Sequence, residues 1–250
     1  MVATYVPKFS YIIPFKFRQD RIIPLRRVID WLAGFQGIEV IVIEQDTHSK
    51  INHLNLKAKH IFLESSAPFN KSWAYNVAIK YAQSNVILFG DGDFIMDPMK
   101  LIESLKLIEN YDCVIPTNKV LKLTQQQSAM DTGSILNMIG TNPKTSMFDG
   151  LSIFKKDTIR TIAGWNEDMI GLGYENEFME IKAKKMLKVH QSEDLGYHLF
   201  HFPENTSKQL LERNKQILDF YSKDTNPIEH HINQTAAKIG IGSRFSTFTT

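Results

Sequence analysis

The stretch VILFGDGD, residues 86–93, decides the fold of this chain. Its four apolar residues predict a buried strand that ends at Gly90, and two carboxylates, Asp91 and Asp93, follow directly. Where a parallel strand emerges at the edge of its sheet, paired carboxylates can hold a divalent cation against the phosphates of a nucleotide. A bare Asp-x-Asp triplet is common by chance, so the position of this one behind a strand is what makes it informative.

The residues before this strand alternate between strand and helix patterns. The predicted elements are, in order, a strand at 11–14, a helix at 25–35, strands at 39–43 and 60–63, and a helix at 71–83. The expected fold class is therefore α/β, with a mostly parallel central sheet flanked by helices. Ligands of such sheets gather at the carboxyl ends of the strands, where Asp46, Phe69 and Asp91 fall.

The second half of the chain has weaker patterns. The predicted elements are a helix at 101–108, a strand at 113–116, a long loop over the site at 122–143, a terminal helix at 210–220 and a poorly ordered tail at 243–250. The loop is predicted because that stretch is polar, rich in Gln and contains glycine.

Composition sets the broad class. With 250 residues, 43% hydrophobic and 22% charged, the chain can bury a full core, and we expect a single domain over 1–250, with two small domains as the alternative. A net charge of +2 gives no reason to expect a nucleic-acid partner. The lone Cys113 cannot form an intramolecular disulfide, and the first residues resemble neither a signal peptide nor a membrane span. A cytoplasmic protein without an integral membrane segment is the expectation.

Two segments carry side chains suited to phosphates and metals. In PFKFRQDR, the cations Lys16, Arg18 and Arg21 follow the first strand and could meet a pyrophosphate, although a solvated loop explains them equally well. His198 and His201 in YHLFH could bind a metal together with a carboxylate. Their spacing would point them to opposite faces of a flat strand, so joint ligation requires a turn there, and a structural role is the alternative.

The segment GWNEDMIGLGYENEF, residues 164–178, combines glycines, aromatic rings and carboxylates. Glycines permit close approach of the backbone to a ligand, aromatic rings cover an apolar sugar face, and a buried carboxylate can accept a proton from a hydroxyl. The alternative is an acidic turn followed by a helix.

Taken in order, these segments resemble the β-1,4-galactosyltransferase group and the related chondroitin-polymerase-type transferases, which have a glycosyltransferase A fold. The likeness covers about residues 11–201. PFKFRQDR resembles the opening nucleotide-binding segment, FNKSWAYNVA the Phe-Asn-Arg helix start, and FGDGDFI the metal-binding triplet. FDGLSIFKKD and GWNEDMIGLGYENEF resemble the donor and acceptor segment, and HLFH the second metal segment.

The resemblance implies a metal-dependent, inverting transferase of polysaccharide biosynthesis that moves a hexose or N-acetylhexosamine from a UDP-sugar to a glycan hydroxyl. It implies Mn²⁺, with Mg²⁺ as the alternative ion, bound by Asp93, His198 and His201. The implied nucleotide and donor contacts are Pro14, Phe15, Lys16, Arg18, Phe69, Asp91 and Gly150. It further implies a nucleotide-binding half at 1–98, a donor and acceptor half at 99–203, and a C-terminal helix and tail at 204–250.

The acceptor segment departs from the family's pattern. Leu172 stands where the family has Trp, so Tyr174 is expected to form part of the acceptor platform, with Asn176 beside it. An ungapped alignment puts Asn176 at the catalytic Asp, and an amide cannot act as a base. A shift of one residue puts Glu175 there, so Glu175 is the expected base, with Glu177 as the reserve.

Two other functions fit the same residues. A nucleotidyltransferase also uses paired aspartates, but it gives the aromatic, Gly-rich segment no role. A non-catalytic sugar- or nucleotide-binding module is the second alternative, and Asn176 is the feature that favours it.

Overall fold

The computed structural model describes residues 7–204, 206–223 and 228–245. The strands are β1 (Phe9–Phe15), β2 (Ile38–Asp46), β3 (Lys59–Glu64), β4 (Val86–Gly90), β5 (Phe94–Met96), β6 (Cys113–Ile115), β7 (Lys119–Lys122), β8 (Leu151–Lys155), β9 (Val189–Gln191) and β10 (Leu195–His198). The helices are α1 (Ile22–Leu32), α2 (Lys71–Tyr81), α3 (Pro98–Leu107), α4 (Gln125–Ala129), α5 (Thr132–Leu136), α6 (Lys156–Thr161), α7 (Glu175–Met186), α8 (Lys208–Tyr221) and α9 (Ile228–Thr235).

The central sheet has the strand order β3-β2-β1-β4-β8-β6-β9. Its pairings are parallel except that β8 runs antiparallel to both β4 and β6. The predicted α/β class with a mostly parallel sheet is therefore confirmed. A second, small sheet has the order β5-β10-β7 and stands beside the end of β4.

Side chains of the central sheet alternate between two apolar layers, as the period of a strand requires. Tyr11 and Ile13 of β1 pack with α1 and α3, whereas Ile12 packs with α2 and α7 on the opposite face. Helices cover both faces, which is why β1 and β4 read as continuous apolar runs in the sequence.

The helix start at α2 places functional groups at the carboxyl edge of the sheet. The Asn70 side chain caps α2 by accepting a hydrogen bond from the backbone N–H of Trp73 at 2.9 Å. Helix α3 begins three residues earlier than predicted, because Asp97 caps it and Pro98 occupies its first turn.

The prediction of a structureless loop at 122–143 is wrong. This stretch contains α4 and α5, and each is started by a side-chain cap. Thr124 and Gln127 form a capping box, and Asp131 accepts a hydrogen bond from the backbone N–H of Ser134 at 2.9 Å. Helices of five residues are too short to show a helical periodicity in a polar sequence, so their capping residues are the feature that indicates them.

The C-terminal prediction is correct for α8 but incomplete after it. Helix α9 follows, so α8 is not the terminal helix. Within 243–245, which were predicted to lack order, Phe245 packs on the core: it is 9% exposed and its ring centroid lies 5.2 Å from that of Trp73. The rest of the predicted tail, 246–250, lies outside the described residues.

None of the helices that the structure describes is both long enough and apolar enough to cross a membrane.

Candidate active site

A cavity of about 220 Å³ opens at the carboxyl edge of the central sheet, beyond the ends of β1 and β4. Its walls come from segments far apart in the sequence, which the parallel topology brings to one edge. The lining residues are Pro14, Arg21, Phe69, Lys71, Asp91, Gly92, Asp93, Leu172, Glu175, His198 and His201.

Asp93, His198 and His201 form a cluster at one end of this cavity. The carboxylate of Asp93 lies 3.0 Å from Nε2 of His201 and 3.6 Å from Nε2 of His198. Potential ligand atoms of the three residues lie within 4.8 Å of one another. Strand β10 ends at His198, so His201 lies beyond the strand and is not held to its alternating faces. Both imidazoles can therefore face Asp93, as joint ligation requires. The structure therefore brings together the three predicted metal ligands.

The surroundings of the cluster fit a divalent ion. Asp93 is 7% exposed, and its Oδ1 has no hydrogen-bond partner among the described residues. Nδ1 of His201 lies 2.8 Å from the carbonyl oxygen of Phe202, an outer contact that holds Nε2 toward the carboxylate. One carboxylate and two imidazoles form a donor set suited to a transition-metal ion.

Electrostatics within the cluster favour an ionised carboxylate. Burial would raise the pKa of Asp93, but the neighbouring His198 and the hydrogen bond with His201 hold that pKa well below its usual range. The same hydrogen bond raises the pKa of His201. Asp93 is thus available as an anionic ligand at neutral pH.

Asp91 points to a different partner, the buried ammonium of Lys71. The two groups lie 2.7 Å apart, and Asp91 also accepts a hydrogen bond from the backbone N–H of Gly150 at 3.3 Å. Burial acts to lower the pKa of Lys71, but Asp91 and Glu175 outweigh it and raise that pKa. Lys71 therefore carries a fixed positive charge into the cavity.

Glu175 is the first residue of α7 and lines the cavity opposite Asp91. Its carboxylate accepts a hydrogen bond from the backbone N–H of Gly173 at 2.7 Å. Burial raises the pKa of Glu175, and the nearby Lys71 acts in the opposite direction. A carboxylate whose pKa is raised in a cavity binds a proton more readily than an exposed carboxylate, as a general base requires.

The two residues after Glu175 are not on the cavity wall. The amide of Asn176 donates a hydrogen bond to Asp149 at 2.8 Å, and its oxygen lies 3.5 Å from Nζ of Lys71. Glu177 is half-buried and lines neither this cavity nor its neighbour, although burial raises its pKa as well. Of the three polar side chains at the start of α7, Glu175 is the one that reaches the cavity.

The structure brings Arg21, rather than Arg18, to the cavity. Arg18 makes a two-point contact with Asp20, with nitrogen to oxygen distances of 3.1 and 2.9 Å. Asp20 in turn accepts a hydrogen bond from the backbone N–H of Phe202 at 2.9 Å, so this pair ties the first loop to the segment beside His201. Arg21 lines the cavity and forms an ion pair with Glu204 at 3.2 Å.

Other predicted contacts lie around the cavity at different depths. Pro14, Phe69 and Leu172 line it, whereas Phe15 is 3% exposed and packs within the apolar layer. Gly150 lines a neighbouring cavity and has φ of +90°, where a Cβ atom would come within 2.4 Å of the Phe94 ring. Lys16 and Tyr174 are partly exposed and are not on the wall of either cavity.

Sequence reasoning missed Lys71 as a functional residue. Its signal was its place directly after the helix cap Asn70, which puts it at a helix start on the ligand edge of the sheet. Arg21 was among the candidate cations but was not chosen, because its position on the cavity depends on how the chain turns through Gln19–Arg21.

Comparison with known sequence families identifies the family of the chain. The sequence profile of glycosyl transferase family 2 matches residues 10–155, which is more than half of the chain. The chain belongs to glycosyl transferase family 2. No curated protein sequence matches the chain.

Solved structures show the same architecture at low sequence identity. S. aureus TarS aligns over 92% of this chain with 17% identity and a TM-score of 0.56, and the chain spans 42% of the length of TarS. The catalytic domain of Drosophila β1,4-galactosyltransferase 7, solved with xylobiose, aligns over 84% of this chain and 80% of its own length, with 14% identity and a TM-score of 0.50. A mutant of that enzyme, solved with manganese, UDP-Gal and xylobiose, aligns over the same shares with 14% identity and a TM-score of 0.49.

The chain is thus a glycosyl transferase family 2 domain with a glycosyltransferase A type of α/β fold. The cavity with Asp93, His198 and His201 is a candidate metal site at the position where such a fold gathers its ligands.

Proposed function

We propose that the chain is a metal-dependent, inverting glycosyltransferase that moves a hexose or N-acetylhexosamine from a UDP-sugar to a hydroxyl group of a glycan. The observation that carries this proposal is that Glu175, Asp91 and the cluster of Asp93, His198 and His201 line one cavity. An acid–base group and a metal-binding group therefore face the same small volume.

The nucleotide is proposed to lie against Pro14 of the first strand, Arg21 of the loop that follows it and Phe69, which precedes α2. The guanidinium of Arg21 offers planar donors that match a diphosphate. Asp93, His198 and His201 would hold the metal, for which we propose Mn²⁺. When bound, such an ion neutralises charge on the departing diphosphate.

Glu175 is proposed as the general base. It would accept the proton of the acceptor hydroxyl while the hydroxyl oxygen bonds to the anomeric carbon of the donor sugar, and the bond from that carbon to the diphosphate oxygen breaks with its electron pair. Attack opposite the leaving group inverts the anomeric centre and requires no covalent enzyme intermediate. Lys71, which is paired with Asp91, acts to lower the pKa of Glu175 and so favours its ionised form.

Asn176 is not an obstacle to this proposal. Its amide nitrogen donates a hydrogen bond to Asp149, and its amide oxygen lies 3.5 Å from Nζ of Lys71, so its role is structural. A carboxylate at position 176 would instead face the carboxylate of Asp149. Acceptor contacts are proposed from Leu172 and, farther out, Tyr174. The same fold holds xylobiose in Drosophila β1,4-galactosyltransferase 7, which supports a glycan as the acceptor. The division of the chain at residues 98 and 203 and the cytoplasmic location stay predictions.

The test is to incubate the protein with Mn²⁺ and a panel of UDP-hexoses and UDP-N-acetylhexosamines, and to measure the nucleotide product with and without glycan acceptors. The proposal expects UDP from one class of donor, and more of it when an acceptor is present. Release of inorganic diphosphate would instead indicate a nucleotidyltransferase. Binding of UDP-sugars without any product would indicate a binding module.

A further inference from the structure

Residues 170–173 form a bend, the glycine bend, just ahead of Glu175 at the start of α7. Leu172 of this bend lines the active-site cavity. Gly171 and Gly173 have φ of +81° and +118°, a backbone conformation that residues with a side chain rarely adopt. The backbone N–H of Gly173 donates the 2.7 Å hydrogen bond to the Glu175 carboxylate. The conformation of the glycine bend therefore sets where that carboxylate lies.

Helix α8 and the residue Thr206 before it pack directly on the glycine bend. A Cβ atom at Gly173 would come within 2.7 Å of Leu211, and one at Gly171 within 3.0 Å of Thr206. The hydroxyl of Thr206 accepts a hydrogen bond from the backbone N–H of Leu172 at 3.3 Å. Glycine at both positions allows this close approach to the backbone of the bend.

Asn214 contacts the glycine bend from the middle of α8. Its amide nitrogen donates hydrogen bonds to the carbonyl oxygens of Ile170 and Gly173, at 3.1 Å each, so one side chain joins the two ends of the bend. Asn214 is 0% exposed, and it is the only buried residue of α8, a helix that the structure describes in full. Packing alone would favour Leu or Ile at such a position, so the buried amide indicates a role for its hydrogen bonds.

The wall of the proposed nucleotide site holds the other side of the glycine bend. The backbone N–H of Gly171 donates a hydrogen bond to the carbonyl oxygen of Phe69 at 2.9 Å, and this contact does not involve α8. Loss of the Asn214 amide would therefore free the Gly173 end of the bend, next to Glu175, and leave the contact with Phe69 in place. The two halves of the proposed site can thus be perturbed separately.

We propose that Asn214, together with the Thr206 hydroxyl, is a positioning residue that holds the glycine bend so that the Glu175 carboxylate faces the cavity. The inference rests on the proposed function, in which Glu175 is the base. It adds a residue from a helix outside residues 10–155, which the family profile matches. Asn214 does not line the cavity, so it acts on the reaction through Glu175.

The hydrogen bond from Gly173 gives this arrangement a measurable signature. Burial raises the pKa of Glu175, as does Asp91, whereas Lys71 and the hydrogen bond from the Gly173 N–H lower it. Freeing the Gly173 end of the bend removes one of the contacts that favour the ionised carboxylate. The pKa of Glu175 should then rise, and the base should lose its active form at a higher pH.

The experiment measures turnover with Mn²⁺ and with the UDP-sugar and acceptor that release most UDP. The proteins are the wild type, Asn214→Leu, Glu175→Gln and the double variant. Leucine has the same branching at Cγ as asparagine but no donor. Gln216→Leu is the matched control, because Gln216 is an exposed amide of the same helix. Each protein is titrated with UDP and Mn²⁺ by calorimetry, and thermal unfolding checks that it is folded.

Asn214→Leu should lower kcat by roughly tenfold or more, because misplacing a catalytic group by about 1 Å can cost about 10²-fold. Its affinity for UDP should stay close to that of the wild type, and Gln216→Leu should match the wild type in both. The acidic limb of the profile of kcat/KM against pH should move to higher pH in Asn214→Leu. Adding Asn214→Leu to Glu175→Gln should lower kcat little further, since the group that it positions is already absent.

Wild-type kcat in folded Asn214→Leu would overturn the inference. An equal loss of kcat with and without Glu175→Gln, or a loss with the acidic limb in place, would show a merely structural role and also overturn it. If Asn214→Leu does not fold, Thr206→Val, which keeps the shape and removes the hydroxyl bonded to Leu172, is judged by the same outcomes. A wild type that releases no UDP from any donor overturns the proposed function, and the inference with it.

Discussion

Replacing Lys71 by Met tests the charge arrangement at the centre of the site. The substitution keeps an unbranched side chain that is one atom shorter and removes the ammonium, which lies 2.7 Å from Asp91 and beside Glu175. Lys71 is 6% exposed, so its charge is largely shielded from water. Among the described residues, the hydrogen bond from the backbone N–H of Gly150 would be left to the Asp91 carboxylate.

The expected loss of stability follows from the burial of the pair. Removing one partner of a fully buried ion pair costs about 3–5 kcal/mol, because the other charge is left without compensation. The Asp91 side chain is 25% exposed, so water recovers part of this cost, and we expect a loss of about 2–3 kcal/mol. For a chain of this length, that corresponds to a decrease in Tm of about 4–12 °C.

The assay is thermal and urea unfolding of Lys71→Met beside the control Lys80→Met, which changes an exposed lysine of the same helix. The control should unfold close to the wild type. In Asp91→Asn the carboxylate is absent, so adding Lys71→Met to that variant should cost much less than it does in the wild type. An equal cost in both backgrounds would refute the ion pair as the source of the effect.

The same variant has a consequence for activity. Lys71 opposes the rise that burial causes in the pKa of Glu175, so its removal should raise that pKa further. The acidic limb of the profile of kcat/KM against pH should then move to higher pH in Lys71→Met. A limb that stays in place, in an enzyme that is active and folded, would show that Glu175 is not the titrating base.

Further substitutions test the proposed base, the proposed diphosphate contact and a buried lysine outside the site. Glu175→Gln should lower turnover by roughly 10²-fold or more with UDP-sugar affinity little changed, and Glu177→Gln should be milder; the reverse order would move the base by two residues. Arg21→Lys should weaken the binding of UDP more than the binding of uridine, because Arg21 lines the cavity. The guanidinium of Arg18 binds Asp20, so Arg18→Lys should affect the binding of both ligands alike. Calorimetric titration of each variant with UDP and with uridine measures the difference. Burial lowers the pKa of Lys182 to about 7. In the unfolded chain lysine titrates at about 10.4, so between these two pH values the unfolded chain binds one more proton than the folded chain. The free energy of unfolding of the wild type should therefore rise with pH across this range. It should rise less steeply in Lys182→Met, as urea unfolding at several pH values would show.

The first half of the fold could be predicted because its signals are local. Apolar runs bounded by glycine and an amphipathic helix between them are enough to identify β1, α1, β2 and β4. The position of Asp91 and Asp93 at the sheet edge follows from the strand before them. Strands of three or four residues, such as β5, β7 and β10, have too few residues to show an alternating pattern.

The contacts within the site depend on tertiary structure and could be predicted only in part. The resemblance supplied Asp93, His198 and His201, and the structure brings them together. The pairing of Lys71 with Asp91 depends on where α2 begins relative to the end of β4, which no local pattern encodes.

The role of Asn176 likewise depends on its hydrogen bond to Asp149, a contact between separate segments that no local pattern predicts.

Binding of Mn²⁺ in the presence of UDP tests the central claim most directly. Electron paramagnetic resonance counts free Mn²⁺ as it is titrated into the wild type, Asp93→Ala and the control Asp97→Ala, which removes an exposed carboxylate at the start of α3. We predict one site in the wild type and in Asp97→Ala, and at least tenfold weaker binding in Asp93→Ala, because two imidazoles cannot replace the charged oxygen ligand. Equal Mn²⁺ affinity in Asp93→Ala and the wild type would contradict the assignment of Asp93, His198 and His201 as the metal centre.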